Sequence, residues 1–548
     1  MRKVKQSCLW ACVLLAMACA GAQGAPRGTV AVTVLAVNDI HGNIDPPPGG
    51  IDIPDPAHPG KSLNIAAGGL ERMATLVKRL KAQSRNSIFV AAGDLIGASP
   101  LLASMFHDEP VIEALSQMGL AASSVGNHEF DKGPAEMLRL QKGGCHPRDG
   151  CKGGHVFKGA RFQYLAASTV VDASGKTLLP PYVVRRFDGI PVAFIGLTRH
   201  ETGAMVAPTS SAGLTFHDEA DTINALVPKL KAQGINAFVV LAHYGDYTTG
   251  GMNECKGMTG PLSPFLARLD KAVKLVITAD SHQAYTCQID GRLVTQANRY
   301  TTMVTDIDLK LDRRTRAVVS AKATNLVVDP GLPPDPAVKK LIDNYRRRVG
   351  PSDRIIATIP APLPVEVNEK LTQELALGDL IADGMRAATG QAQIAFINPG
   401  AIRVGIDKAG PVTHEDLFAV LPYANNIVTL DLTGAQLKAA LEQQWGNLVR
   451  IMKPSSGFHY AWDQRRGAGD HVVPGSMTLD GVPIRPDANY RVAVPDFLAD
   501  AGDGMTVFKQ GRNGVVSGPV LDSLEAWLPA HLSADGKPEG RVTRVDAP

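Results

Sequence analysis

Five times before residue 290 the chain runs a short apolar stretch straight into Asp, Asn and His residues. Residues 30–37 lead into Asn38-Asp39-Ile40-His41-Gly42, and residues 88–92 lead into Gly93-Asp94. Ser124-Val125 opens Gly126-Asn127-His128-Glu129-Phe130-Asp131. Residues 238–241 end on Ala242-His243, and residues 275–278 end on Ala279-Asp280-Ser281-His282. Short continuous apolar runs between helical patterns mark strands buried on both faces of a layered α/β fold. In such folds ligands gather beyond the carboxyl ends of the strands. Taken singly, a His after a strand is usually a hydrogen-bonded structural residue, and Gly-Asp is usually a turn. Five in the same position predict one site fed by five strands. Its donors are oxygen and imidazole with no thiolate, a set that suits Mn, Zn, Co, Fe or Mg rather than a structural cysteine-zinc centre.

The rest of the chain frames that site. At 548 residues, two domains are expected. Leu70, Met73, Leu76, Val77 and Leu80 fall at helical spacing within 69–81. From residue 333 a charged segment with Leu341, Ile342 and Tyr345 predicts a connecting helix ending near 350–351, and a second mixed domain begins at about 355. The Pro/Gly-rich stretch 45–60 reads as a surface loop. The predicted layout is therefore 1–24 export signal, 29–325 catalytic domain, 326–354 linker with a helix, and 355–546 second domain. A net charge of +3 gives no basic face for a nucleic-acid polymer.

The export reading rests on Arg2, Lys3 and Lys5 ahead of an apolar run at 9–20 with small residues after it. That run is too short to span a membrane. Cys8, Cys12 and Cys19 lie in or beside it; Cys145, Cys151, Cys255 and Cys287 remain. Four cysteines in an oxidising compartment predict two disulfides, with three pairings open. Cys145 with Cys151 closes a small Gly-rich loop and leaves Cys255 for Cys287. A periplasmic or secreted monomer is expected, with lipid anchoring at Cys19 the lesser alternative.

The motifs at 38–42, 93–94 and 126–131, His243, Asn398-Pro399-Gly400-Ala401-Ile402-Arg403 and Gly502-Asp503-Gly504 resemble those of the calcineurin-like metallophosphoesterases, and within them the bacterial 5′-nucleotidase family. The resemblance covers almost the whole mature chain. It implies an N-terminal four-layer α/β/β/α sandwich and a C-terminal α+β domain that binds substrate. It implies two divalent ions (Mn, Zn, Co or Mg). One is held by Asp39, His41 and Asp94 with His282 near it, and the second by Asp94, Asn127, His243 and position 280. His128 and Asp131 match the catalytic pair, Tyr423 and Phe497 the base-stacking pair, Asn398 and Arg403 the phosphate side, and Asp503 the ribose side. The implied reaction is removal of phosphate from nucleoside 5′-monophosphates by a metal-activated hydroxide. UDP-sugars, nucleoside di- or triphosphates and 2′,3′-cyclic nucleotides are alternatives on the same site.

Two departures stand out. The family usually has His where this chain has Asp280. A carboxylate there is either an equivalent ligand or the mark of an altered second site. The family often has Arg ahead of its Leu-Gly-Asn-Leu stretch, and none occurs in 371–380. Both departures leave open a nucleotide-binding protein with an impaired metal site. A sulfur-cycle hydrolase on the same fold is disfavoured by Tyr423 and Phe497. His107, His146, His155, His217, His414, His459 and His471 lie outside the motifs, Trp445 reads as core, and His200 could border the site.

Overall fold

The computed structural model describes residues 28–546, except 56–57, 59–60, 350–353, 366–370, 447–448 and 533–534. The export signal at 1–24 lies outside the described residues. Two six-stranded sheets pack face to face. One runs, in spatial order, Val318–Val327, Met303–Asp312, Thr29–Val37, Ser87–Ala91, Leu120–Ser124 and Gln163–Leu165. The other runs Ala284–Ile289, Arg292–Ala297, Val273–Ile277, Ala237–His243, Ile190–Thr198 and Tyr182–Phe187. The central strands of each are parallel.

The continuous apolar runs follow from this layering. Val34 and Ala36 face the core between the sheets, with Val90, Val239 and Leu241. Leu35 and Val37 face the opposite way, onto helices Leu70–Ala82 and Glu109–Gln117. In the second sheet Val192 and Phe194 point inward, while Ala193, Ile195 and Leu197 meet helices Glu219–Ala232 and Leu262–Arg268. Neither strand face meets water, so alternation disappears and four layers result.

Helix Pro336–Arg346 forms within the segment expected to link the domains, but it belongs to the first domain's packing. Val338 and Ile342 join the helix-side core, Tyr345 donates to Glu113 at 3.1 Å, and Arg346 donates to Glu71 at 3.2 Å. Asp335 caps it by accepting from the backbone of Ala337 and Val338. In the Pro/Gly-rich loop, Ile51–Pro54 pairs with Ser62–Ile65 as a small antiparallel ribbon. Its two strands have four residues each and none is buried, which leaves too short an apolar pattern to be read as strands. Cys145 is joined to Cys151 and Cys255 to Cys287, the pairing expected.

The second domain is built on a five-stranded sheet, in order Lys453–Pro454, Ile394–Ile397, Asn489–Pro495, Asn426–Thr433 and Arg512–Pro519. Helices Ala376–Thr389 and Val520–Trp527 cover one face and helix Gly434–Glu442 the other. Strand Ile394–Ile397 runs parallel to Asn489–Pro495, and Ile427 pairs with Pro495. Asn398, Phe497 and the Tyr423 loop therefore emerge at one edge. No helix among the described residues is long and apolar enough to cross a membrane.

Candidate active site

The five strand ends of the first domain meet as expected, and backbone bonds lock their loops side by side. Asp39 N donates to Gly93 O (3.1 Å) and His41 N to Asp94 O (2.9 Å). Thr198 and His243 end their strands in register. The chain turns sharply at each end. Asp39, His41, Asp94, Asp280 and His282 all take left-handed φ, between +46° and +73°. Such conformations cost free energy in non-glycine residues and persist where function needs the side chain's direction. The glycines permit close approach. A Cβ on Gly93 would lie 2.8 Å from His243 Nδ1, and one on Gly126 would lie 2.1 Å from Asp94 Oδ1.

The donor atoms converge. His41 Nδ1 lies 2.9 Å from Gly97 O and His243 Nδ1 lies 2.9 Å from Ala92 O. Each ring is thereby oriented by a carbonyl and presents Nε2 inward, the orientation metal-binding histidines adopt. His41 Nε2 faces His282 Nε2 at 3.0 Å and Asp94 Oδ2 at 3.5 Å. His243 Nε2 lies 3.1 Å from both Asp94 Oδ2 and Asn127 Oδ1. Asp39 receives the Asp280 backbone N–H on both carboxylate oxygens, at 3.1 Å.

The electrostatics show what such a set lacks. Burial, reinforced by the Asp94 and Asp280 carboxylates, pushes Asp39 up to about 7, although His243 opposes the rise. Burial would depress His243, yet Asp94, Asp39 and Asp280 pull it up to about 10. Burial, then Arg403 and the neighbouring imidazoles, hold His41 well below the usual range. Buried acids that repel one another need compensating positive charge, which a protonated His243 or a bound metal ion can supply. The trios Asp39–His41–His282 and Asp39–Asp94–His243 each bring their ligand atoms within 4.8 Å of one another. The residues fit divalent ions.

Next to them, His128 Nδ1 lies 2.9 Å from Asp131 Oδ2. Burial opposes charge on His128, but Asp131 and Asp94 outweigh it and raise its pKa. Glu129, inside the 126–131 motif, has a role that its sequence position does not disclose. Its buried carboxylate accepts from the backbone of Asp94 (2.9 Å), Leu95 (2.8 Å) and Gly126 (2.6 Å), pinning two ligand loops together. Its pKa is pushed up to about 8 by burial and by Asp94.

The second domain closes the cleft, about 240 Å³ in volume. Arg403 Nη2 reaches to 3.3 Å from His41 Nε2, and the Tyr423 ring lies near-parallel to His128 at 6.1 Å. Asn398 donates to Asp503 at 3.0 Å, and Phe497 lies over Gly502, where a Cβ would meet the ring at 2.5 Å. Arg403 Nε and Asn398 Oδ1 are buried without a partner among the described residues. All five second-domain residues named from sequence line the cleft with Asp94, Asn127, His128, Asp131, Asp280 and His282.

Two further cations that no motif marks, Arg199 and Arg450, also line the cleft. Arg450 Nε lies 3.6 Å from Asp503, and Arg199 is paired with Asp280. The only signal for Arg199 was its place one residue past a strand, beside His200. His200 itself turns to Glu219 at 3.1 Å and does not line the cleft. The discounted histidines also lie elsewhere, and Trp445 stacks on His471 at 4.6 Å beside the second domain's core.

Comparison with known proteins agrees. Residues 32–284 match the calcineurin-like phosphoesterase family, and residues 355–510 match the 5′-nucleotidase C-terminal domain. Endonuclease YhcR of Bacillus subtilis is 31% identical over 96% of this chain, which spans only 42% of that protein's length. Human 5′-nucleotidase is 24% identical over 88% of the chain and 85% of its own. The crystal structure of a 5′-nucleotidase precursor from Thermus thermophilus superposes with a TM-score of 0.77 at 27% identity, covering 95% of this chain and all of that one. The chain belongs to the calcineurin-like phosphoesterases, in the two-domain form that carries a 5′-nucleotidase C-terminal domain.

Proposed function

We propose that this is an exported hydrolase that uses two divalent ions to remove phosphate from nucleoside 5′-monophosphates. The observation that carries the reading is one cleft with a buried Asp/His/Asn donor cluster on one wall and Arg403, Asn398, Tyr423, Phe497 and Asp503 on the other. Asp39, His41, Asp94 and His282 would hold one ion, and Asp94, Asn127, His243 and Asp280 the second. Bound ions would neutralise the phosphate and acidify the attacking water. The protein's own groups do the rest. His128, kept protonated by Asp131, faces charge developing on the phosphoryl oxygens. Arg403 offers its planar donor fork to the phosphate. Tyr423 and Phe497 supply π-faces for a base, and Asp503 can accept from ribose hydroxyls. Disulfides at Cys145–Cys151 and Cys255–Cys287 support an oxidising compartment.

Phosphate release from AMP, ATP, UDP-glucose, 2′,3′-cyclic AMP and an aryl phosphate, each with Mn, Zn, Co, Mg or chelator, tests this reading. AMP is expected to lead and chelator to stop the reaction. Preference for another substrate renames the activity, and no turnover with any ion defeats it. Base stacking is worth about 1–3 kcal/mol. Tyr423→Ala or Phe497→Ala is therefore expected to raise KM for AMP roughly 10-fold or more, while the aryl phosphate is little affected. Equal losses on both substrates would remove the stacking role.

A further inference from the structure

Arg199 emerges one residue beyond strand Ile190–Thr198, next to the strand that delivers His243. It is 7% exposed, and each of its three guanidinium nitrogens donates to a carboxylate. Nε donates to Glu201 at 3.0 Å and Nη2 to the same carboxylate at 3.4 Å. Nη1 donates to Asp280 Oδ2. The guanidinium also lies over the Tyr244 ring, 5.5 Å from its centre. Asp280 thus has one oxygen fixed by a cation. Its other oxygen, Oδ1, faces the donor cluster 3.9 Å from His243 Nε2.

We infer that Arg199 is a positioning residue that fixes Asp280 and offsets part of its charge, so that this carboxylate can serve the second ion site. The inference rests on the two-ion reading above. Asp39 and Asp94 already place two buried carboxylates in the cluster. A third, unpaired, would add repulsion without a counter-charge. Arg199, shared between Asp280 and Glu201, offsets part of the Asp280 charge while leaving Oδ1 as an oxygen donor. Asp280 sits on a left-handed turn with φ +73°, and its backbone N–H is already committed to Asp39. The guanidinium holds the remaining torsions, as groups outside the ligand shell do for metal-binding carboxylates. Glu201 and Tyr244 in turn hold Arg199. A guanidinium so engaged has few donors left for a substrate, which separates it from Arg403, whose Nε is unpartnered.

Calorimetric titration of the metal-free protein with Mn, together with ion content after dialysis, tests this without turnover. The wild type is expected to bind two ions. In Arg199→Ala, affinity at one of the two sites is expected to fall about 10- to 100-fold, the usual cost of losing such a support. Arg199→Lys should recover part of the loss by restoring the charge. In an Asp280→His background, Arg199→Ala should have little effect, because no carboxylate remains to be held. Unchanged affinity in Arg199→Ala, with the wild type still binding two ions, overturns the inference and leaves the two-ion reading standing. Tighter binding overturns it too, since Arg199 would then compete with the ion for Asp280. A wild type that binds a single ion overturns both. Thermal melts of the metal-free variants exclude misfolding, and Arg199→Lys keeps the question answerable if the alanine variant fails to fold.

Discussion

Asp94→Asn is expected to lower turnover by at least about 10³-fold and to strip tightly held ions from the protein. The magnitude follows from position. Asp94 Oδ2 lies 3.5 Å from His41 Nε2 and 3.1 Å from His243 Nε2, so one carboxylate oxygen reaches both halves of the donor cluster. Its Oδ1 accepts from the His128 backbone at 3.0 Å, tying the cluster to the proposed general electrostatic group. Asparagine keeps the shape and removes the charge. Losing charge compensation at both ions forfeits more than one preorganised donor, which by itself is worth about 10²–10³ in rate. The measurement is kcat across a metal titration, with ion content after dialysis. Partial recovery at high metal concentration would identify a weakened ligand. Full activity and two retained ions would show that Asp94 does not bridge the site.

His128→Ala is expected to lower kcat about 10²-fold or more while ion content stays at the wild-type value. His128 lies beside the donors but bonds to Asp131 at 2.9 Å, and its ring sits between His41 (centroids 4.9 Å apart) and Tyr423 (6.1 Å apart). A protonated imidazole there meets charge that grows as the phosphoester bond breaks, so the loss should fall on kcat rather than KM. Asp131→Asn should cost less, because it removes the partner and not the imidazole. Unchanged kcat in His128→Ala would take the residue out of the mechanism. Loss of ions in that variant would make it a ligand instead.

Much of this was legible because burial writes itself into sequence. Strands covered on both faces must be apolar throughout. Each run therefore announced both its own ends and the polar residues just beyond, from Asp39 to His282. The glycines at 93 and 126 could be read as motif members, but their necessity is visible only as atoms that a side chain would strike. Glu129 and Arg199 escaped for a different reason. The partners that tie them to the site lie 35 and 81 residues away in Asp94 and Asp280, and no local pattern links such pairs. The helix Pro336–Arg346 shows the same limit. Its 3.6-residue spacing predicted the helix, but not the surface that its apolar stripe would cover.

The family resemblance singled out the aromatic and basic residues of the second domain; by itself the sequence determined the layered class, the strand ends and the donor types. These depend on periodicity and on local chemistry, which adjacent residues encode. Tertiary structure decided which donors share an atom-scale site, that Arg403 reaches His41 across 362 positions, and that Asp280 is held by Arg199. Those outcomes depend on strand register and on how two domains face one another, and both are fixed only when distant segments bury surface against each other.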